Sequence, residues 1–275
     1  MEIEFIKTSP TQNMTVLVKT PVPREKQLAL AERLIAYDSV YAEQAGYIEE
    51  PENPQAAKHL QMMAGEFCGN ASLSLAAWLA QKDGLAAGET REYLLEVSGT
   101  EGLVPCEITR EECGFFGKAK MPLPERIEER TFRMEGEELR LIAVVFEGIT
   151  HVIVPAGLWK EDTERKAETA VRLWVEELPD GAAFGLLLLD ENEHMLRPLV
   201  YLKGVSMIWE RGCGSGTAAV GAYLAWKNRK AVSVELQQPG GKMRAEAGYQ
   251  DGVIPALYIA GHVSIVAEGI AFLEG

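Results

Sequence analysis

Basic residues are in short supply: 27 Lys and Arg stand against 41 Asp and Glu, a formal net charge of −14 over 275 residues. So acidic a chain repels phosphate backbones and anionic headgroups, which excludes nucleic acid and membrane surfaces as expected partners. Cysteine is sparse as well. Cys68, Cys106, Cys113 and Cys213 form no Cys-x-x-Cys pair and no zinc-ligand spacing, so neither a disulfide framework nor a metal site is expected and all four are read as free thiols. Long apolar runs are missing too. The best of them, Leu186 to Leu189, is bracketed by Gly185 and Asp190, far short of the roughly 18 residues of a membrane span. The opening Met1-Glu2-Ile3-Glu4 places acidic residues where a secretory signal needs positive charge, and a cytoplasmic location is expected.

What is present is ordinary globular material, 47% hydrophobic and 25% charged, in a length that suits two domains. Alternating Ile3/Phe5 and Val16/Val18 flank a turn-prone Ser9 to Asn13 and predict two strands. Pro23 and Glu25 open a helix with Leu28, Ala31, Leu34 and Ile35 as its apolar stripe. Strands are expected at Gly46 to Glu50 and His59 to Ala64, then a helix after Asn70 with Leu73, Ala76, Ala77 and Leu79 inward, closed by Asp83-Gly84. Three more strands, Tyr93 to Val97, Leu103 to Ile108 and Phe115 to Met121, complete the first half. Pro122-Leu123-Pro124 breaks any ladder and marks the crossing. The division expected is therefore 1–122, completed by a C-terminal strand at 262–275, and 123–261. In the second half the order recurs: strands Leu139 to Phe146 and Thr150 to Val154, an acidic helix from Leu158 to Glu177, strands Phe184 to Leu189 and Pro198 to Lys203, a helix through Trp226, and strands from Ala231 onward.

An offset of 145 lays Cys68-Gly69-Asn70-Ala71-Ser72 over Cys213-Gly214-Ser215-Gly216-Thr217, and five of the thirteen positions from Cys68 to Ala80 are identical to their counterparts. Small residues along both helices suggest that each is wrapped closely by a sheet. Two such halves would turn their helix starts toward one cleft. A thiol just ahead of a helix sits where unpaired backbone N–H groups and the positive end of the dipole converge, so thiolate is expected to be favoured at both cysteines. The same N–H groups suit a substrate carboxylate, which then better accepts the charge that develops when its Cα loses a proton. Two acid/base groups on opposite sides of one carbon perform racemisation or epimerisation. Cys106 and Cys113, outside the repeat, are read as small buried hydrophobes.

The motifs Asn13-Met14-Thr15, Glu43-Gln44-Ala45-Gly46, Glu66-Phe67-Cys68-Gly69-Asn70, His151 to Pro155, Pro198 to Tyr201, Trp209-Glu210, Cys213-Gly214-Ser215-Gly216-Thr217 and Gln238-Pro239-Gly240-Gly241 resemble the cofactor-independent diaminopimelate epimerase superfamily. They are most similar to its histidine racemase branch, which makes D-histidine for staphylopine-type opine metallophores. The resemblance implies an α+β fold of two pseudo-symmetric domains, each a mixed sheet or barrel around a central helix. It also implies a two-cysteine mechanism with no pyridoxal phosphate or other cofactor, an amino-acid substrate and a homodimer. The glycine-rich insert of diaminopimelate epimerases before the second cysteine is missing here. Arg211 and Gly212 stand where the histidine racemase pattern has asparagine and serine.

Cys68 and Cys213 are the proton carriers. By residue type Asn13 is a turn residue and Glu43 a surface carboxylate, while the resemblance makes them, with Gln44, substrate contacts; Glu43 would meet the imidazole or the α-ammonium group. Gly69, Asn70, Gly214 and Ser215 form the helix starts. Glu210 pairs with the substrate ammonium or with Arg211. His151, in an apolar strand, is a satisfied core histidine or a ligand contact. Glu66 is placed as a cap on the following helix, Trp78 and Tyr223 as packing residues, and Gln238 to Gly241 as a turn. Epimerisation of diaminopimelate or another amino acid, a phenazine-biosynthesis-type isomerase using Glu43, and a thiol redox or binding protein are the competing readings.

Overall fold

The computed structural model describes residues 1–177, 183–202 and 206–273. The chain forms two compact units, Met1–Lys120 with Ile259–Gly275 and Met121–Tyr258. Among the described residues no helix is long and apolar enough to cross a membrane.

In the first unit β1 (Glu2–Pro10), β2 (Thr15–Val18), α1 (Arg24–Ile35), β3 (Gln44–Glu49), β4 (Lys58–Met62), α2 (Gly69–Lys82), β5 (Thr90–Val97), β6 (Leu103–Arg110) and β7 (Phe115–Lys120) are joined by most of β16 (Leu257–Phe272). Strands neighbour one another in chain order from β1 to β7, then β16, which pairs antiparallel with β1 from Glu2↔Phe272 to Pro10↔Val263 and closes a ring. The pairs β2–β3 and β4–β5 are parallel, as crossovers through α1 and α2 require. Inside the ring lies α2, against β1, β2, β4, β5, β6 and β7. Every residue from Gly69 to Ala77 is buried, which only a run of small and apolar side chains permits. Leu28, expected in the stripe of α1, is 44% exposed; the buried face is Gln27, Ala31 and Leu34. Gln27 is accommodated because its amide donates to Val22 C=O and to Glu49.

The second unit contains β8 (Arg126–Met134), β9 (Glu137–Phe146), β10 (Ile149–Pro155), α3 (Thr163–Trp174), β11 (Ala183–Asp190), β12 (Met195–Leu202), β13 (Ser206–Trp209), α4 (Gly214–Asn228), β14 (Val232–Gln238) and β15 (Gly241–Ala247). Its sheet runs β8-β9-β10-β11-β12-β14-β15, with β13 on β12. One face packs α3 through Phe132, Val152, Val154, Trp174, Leu186 and Leu188, and α4 contacts β9, β10, β14 and β15. Two expectations are corrected. β8 was not anticipated, because five of its nine residues are charged; only Phe132 and Met134 turn fully inward. The helix expected from Leu158 begins at Thr163, since Asp162 takes a left-handed conformation (φ 53°), and it ends at Trp174 with a 3₁₀ turn at Val175–Glu177. Lys203, the expected end of β12, lies outside the described residues.

The contact between α4 and β15 is close. A Cβ added at Gly221 would stand 2.5 Å from Ala245 Cβ. Gly221→Val is therefore expected to cost about 1–3 kcal/mol of stability by overpacking, read as a lower urea midpoint at unchanged m-value; a midpoint equal to wild type refutes the close contact.

Candidate active site

The local sequence builds the same cap twice. Cys68 precedes α2 in an extended conformation (φ −136°, ψ 110°), and its sulfur accepts the Ala71 N–H at 3.4 Å. Cys213 precedes α4 with φ −98° and ψ 109°, and its sulfur accepts the Gly216 N–H at 3.2 Å. In each, the residue four beyond the cysteine returns a hydroxyl to the cysteine carbonyl: Ser72 at 2.8 Å and Thr217 at 2.6 Å. A β-region N-cap is what lets a short side chain reach the third N–H of the helix, and the hydroxyl fixes the cysteine peptide from the other side. Gly69 with Asn70, and Gly214 with Ser215, then occupy first-turn positions whose N–H groups have no acceptor within their own helix, next to a sulfur.

In the first unit the cysteine stands in an amide network. Its thiol donates to Gln44 Oε1 at 3.2 Å; Gln44 Nε2 donates to Asn13 Oδ1 and to Thr15 Oγ1, each at 2.8 Å. Asn70 Nδ2 meets the same Asn13 oxygen at 2.9 Å, and Asn13 Nδ2 donates to the Glu43 carboxylate. Asn13, Glu43, Gln44, Cys68 and Asn70, far apart in sequence, are thus one hydrogen-bonded cluster. Glu43 is half-buried rather than a free surface carboxylate. Glu66 does not cap α2: its carboxylate accepts the Ala64 N–H at 3.0 Å and closes the preceding turn, and burial raises its pKa above the usual carboxylate value.

The second cysteine is in different company. Cys213 is 2% exposed, and burial together with a hydrogen-bonded Glu210 carboxylate holds its thiol well above the usual cysteine pKa, against the opposing Ser215 hydroxyl and Gly216 N–H. The expectation that a helix start favours thiolate fails here, because removal from water and a neighbouring negative charge outweigh one N–H. Gln238, itself 2% exposed, holds the cap: its Oε1 accepts the Cys213 N–H at 2.8 Å and its Nε2 donates to Thr217 Oγ1 at 2.7 Å. The turn that follows it ties back as well, Gly240 N–H to Arg211 C=O at 2.6 Å and the Arg211 guanidinium to Pro239 C=O at 3.3 Å. Sequence reasoning saw this segment only as a turn; the available signal was an amide side chain ending a strand directly before it.

His151 is in the core but is not satisfied there. It is 0% exposed, neither ring nitrogen has a hydrogen-bond partner among the described residues, and burial pushes its pKa down to about 3. Its neighbours Val152 and Leu186 face the α3 core, so His151 and Gly185 lie on the opposite, α4-facing side; a Cβ at Gly185 would fall 2.0 Å from His151 Nδ1. Phe146 packs edge-on against the ring at 6.3 Å. Tyr223 is buried with its hydroxyl donating to Glu191 at 2.7 Å, while Trp78 stays partly exposed under the Lys82 ammonium. Cys106 is buried as expected, but Cys113 is exposed, because it sits on the β6–β7 turn beside Gly114 (φ 87°). No group of three or more His, Cys, Asp or Glu among the described residues could hold a metal ion.

A family profile described as the histidine racemase CntK N-terminal domain matches residues 2–272. A histidine racemase of Staphylococcus aureus is 31% identical over 283 aligned residues, covering 99% of this chain and 98% of that protein. A histidine racemase of Fusobacterium nucleatum is 34% identical over 277 residues, covering 98% and 97%. Among solved structures, a hydroxyproline epimerase of Agrobacterium vitis with bound trans-4-hydroxy-L-proline superposes with a TM-score of 0.74 at 14% identity, covering 100% of this chain and 93% of that one.

Proposed function

The chain belongs to the histidine racemase family, and we propose that it interconverts L- and D-histidine by moving the Cα proton between Cys68 and Cys213. The observation that carries this reading is the duplicated cap, a cysteine sulfur on the third N–H of a buried helix in each unit. In the proposed reaction one sulfur starts as thiolate and forms an S–H bond with the Cα proton while the C–H electron pair passes into the carboxylate-stabilised carbanion. The other sulfur then gives its proton to the opposite face. The thiol has become thiolate and the thiolate thiol, so the reverse substrate finds the pair ready. Cys213, held protonated by burial and Glu210, is the resting proton donor in this scheme. Their titration is coupled, because ionising one sulfur beside the substrate carbanion disfavours ionising the other.

The first-turn N–H groups at Gly69, Asn70, Gly214 and Ser215 hold the substrate carboxylate and stabilise its developing charge; each such donor contributes about 3 kcal/mol to the transition state. Glu210 pairs with the α-ammonium group. Asn13, Gln44 and Glu43, already joined to Cys68 through the Asn13 and Gln44 amides, supply the polar wall, with Glu43 the acceptor for an imidazole N–H. The resemblance further supports a cytoplasmic homodimer that delivers D-histidine for metallophore assembly.

The purified chain incubated with L-histidine in heavy water is expected to yield D-histidine carrying one solvent deuterium at Cα, resolved by chiral chromatography and mass spectrometry. Inversion without deuterium gain, or inversion undiminished when both cysteines are alanine, overturns the two-sulfur scheme. Racemisation of another amino acid in preference to histidine overturns the substrate.

A further inference from the structure

On the outer face of the second unit two carboxylates of α3, Glu164 and Glu168, lie one helical turn apart and both reach the edge formed by β12 and β13. Glu168 Oε1 accepts the Trp209 indole N–H at 3.2 Å. Glu164 pairs with Arg197, whose guanidinium lies 5.1 Å over the Trp209 ring. Trp209 is thereby gripped on its N–H and on its face, and its ring packs against the α3 core. It is also the last residue of β13, a four-residue strand paired with β12 at Leu199↔Trp209, and the next residue is anchored by its own N–H to Pro198 C=O at 3.0 Å. Successive side chains of a strand point to opposite faces, so the direction in which Trp209 is held fixes the direction of Glu210, and Glu210 hydrogen-bonds the Cys213 sulfur.

From this linkage we infer that Glu168 and Trp209 are positioning residues, a latch from α3 that aims the Glu210 carboxylate at Cys213. Neither touches the reacting atoms. Their contact sets the roll of a short strand whose next residue carries the carboxylate that hydrogen-bonds the second cysteine. A side chain so placed affects the chemical step far more than substrate capture, because an offset of about 1 Å at the reacting centre can cost 10²-fold in rate. The charged and polar groups that bear on the sulfur itself are the Glu210 carboxylate, the Ser215 hydroxyl and the Gly216 N–H, with Arg211 next in the chain and directed to Pro239 C=O. The latch acts through the first of these. Its catalytic consequence rests on the racemase reading above; its effect on Cys213 does not.

The test uses the full chain as Glu168→Ala, Trp209→Phe and Glu168→Gln, following alkylation of Cys213 by iodoacetamide as a function of pH, resolved from the other cysteines by peptide mass spectrometry. Trp209→Phe keeps an aromatic face for Arg197 and removes the indole N–H together with part of the ring. With the carboxylate no longer held on the sulfur, Glu168→Ala and Trp209→Phe are expected to lower the alkylation midpoint by about half a pH unit or more. In the same variants kcat for histidine falls about tenfold while KM stays within about twofold, the pattern of a lost transition-state interaction. Glu168→Gln, whose amide oxygen still accepts the indole N–H, restores both. A general loosening of the fold would raise alkylation at every pH without moving its midpoint. Midpoints equal to wild type in both Glu168→Ala and Trp209→Phe overturn the latch, whether or not histidine is racemised. Lowered midpoints support it even if another amino acid proves to be the substrate.

Discussion

Replacing either Cys68 or Cys213 by alanine is expected to reduce histidine racemisation about a thousandfold, within the range that a positioned acid or base contributes, while leaving the fold intact. The losses should not be alike in kind. With one sulfur gone, the remaining one can remove a proton from a single face and return a solvent deuteron to that same face. Each single variant should therefore exchange the Cα hydrogen of one enantiomer with retention, and the two variants should act on opposite enantiomers. NMR of L- and D-histidine incubated separately with each variant in heavy water reads this directly. Exchange of the same enantiomer by both variants would mean that the sulfurs do not approach opposite faces. The assignment of Cys213 as resting donor adds a direction, since a thiol kept protonated by burial and Glu210 abstracts slowly. Residual exchange should accordingly be weaker in Cys68→Ala than in Cys213→Ala.

The second large effect concerns stability and acid. His151 is neutral in the folded state with a pKa of about 3, whereas an unfolded histidine titrates near 6.5. A depressed folded pKa contributes stability that is present above the unfolded value and is lost as pH falls, because the unfolded chain takes up the proton first. At about 1.4 kcal/mol per pH unit, the window from 6.5 down to 4 removes roughly 3 kcal/mol. Urea unfolding of wild type and His151→Leu at pH 7 and pH 4 isolates this contribution. The variant, which also removes two buried ring nitrogens without partners among the described residues, should gain on wild type by that amount at the lower pH. A stability difference that is the same at both values sinks the prediction.

The duplication was legible because a cysteine, a glycine and a hydroxyl or amide recur at one offset, and those residue types make sense together only at a helix start. The cluster of Asn13, Glu43, Gln44 and Asn70 was legible through resemblance but not through periodicity. Its members come from a turn, the start of β3 and the first turn of α2, and only the closed ring brings them into contact. The state of the Cys213 thiol was misjudged because burial is a property of the surroundings: the cysteine, glycine and polar residue of the motif recur at both helix starts, but they do not encode the desolvation and the Glu210 carboxylate that raise the Cys213 thiol. β8 escaped notice for a related reason. Its alternation is carried by the aliphatic stems of arginine and glutamate, with Arg130 paired to Glu128 across one face, and a strand of that composition reads as loop until β9 is beside it. Gln238 and Glu168 act by reaching residues distant in the chain; an amide at a strand end hinted at the first, and no local pattern marks the second as a clamp.

The ring around α2 also bears on biosynthesis. Its last strand is drawn from residues beyond Ile259, on the far side of the whole second unit. A ribosome that has finished Lys120 therefore holds an open curl whose two margins, β1 and β7, expose unsatisfied backbone until the segment from Ile259 to Phe272 has been made. Such margins invite pairing with other nascent chains. The helix bearing Cys68 reaches its final enclosure last, although it is translated long before the helix bearing Cys213.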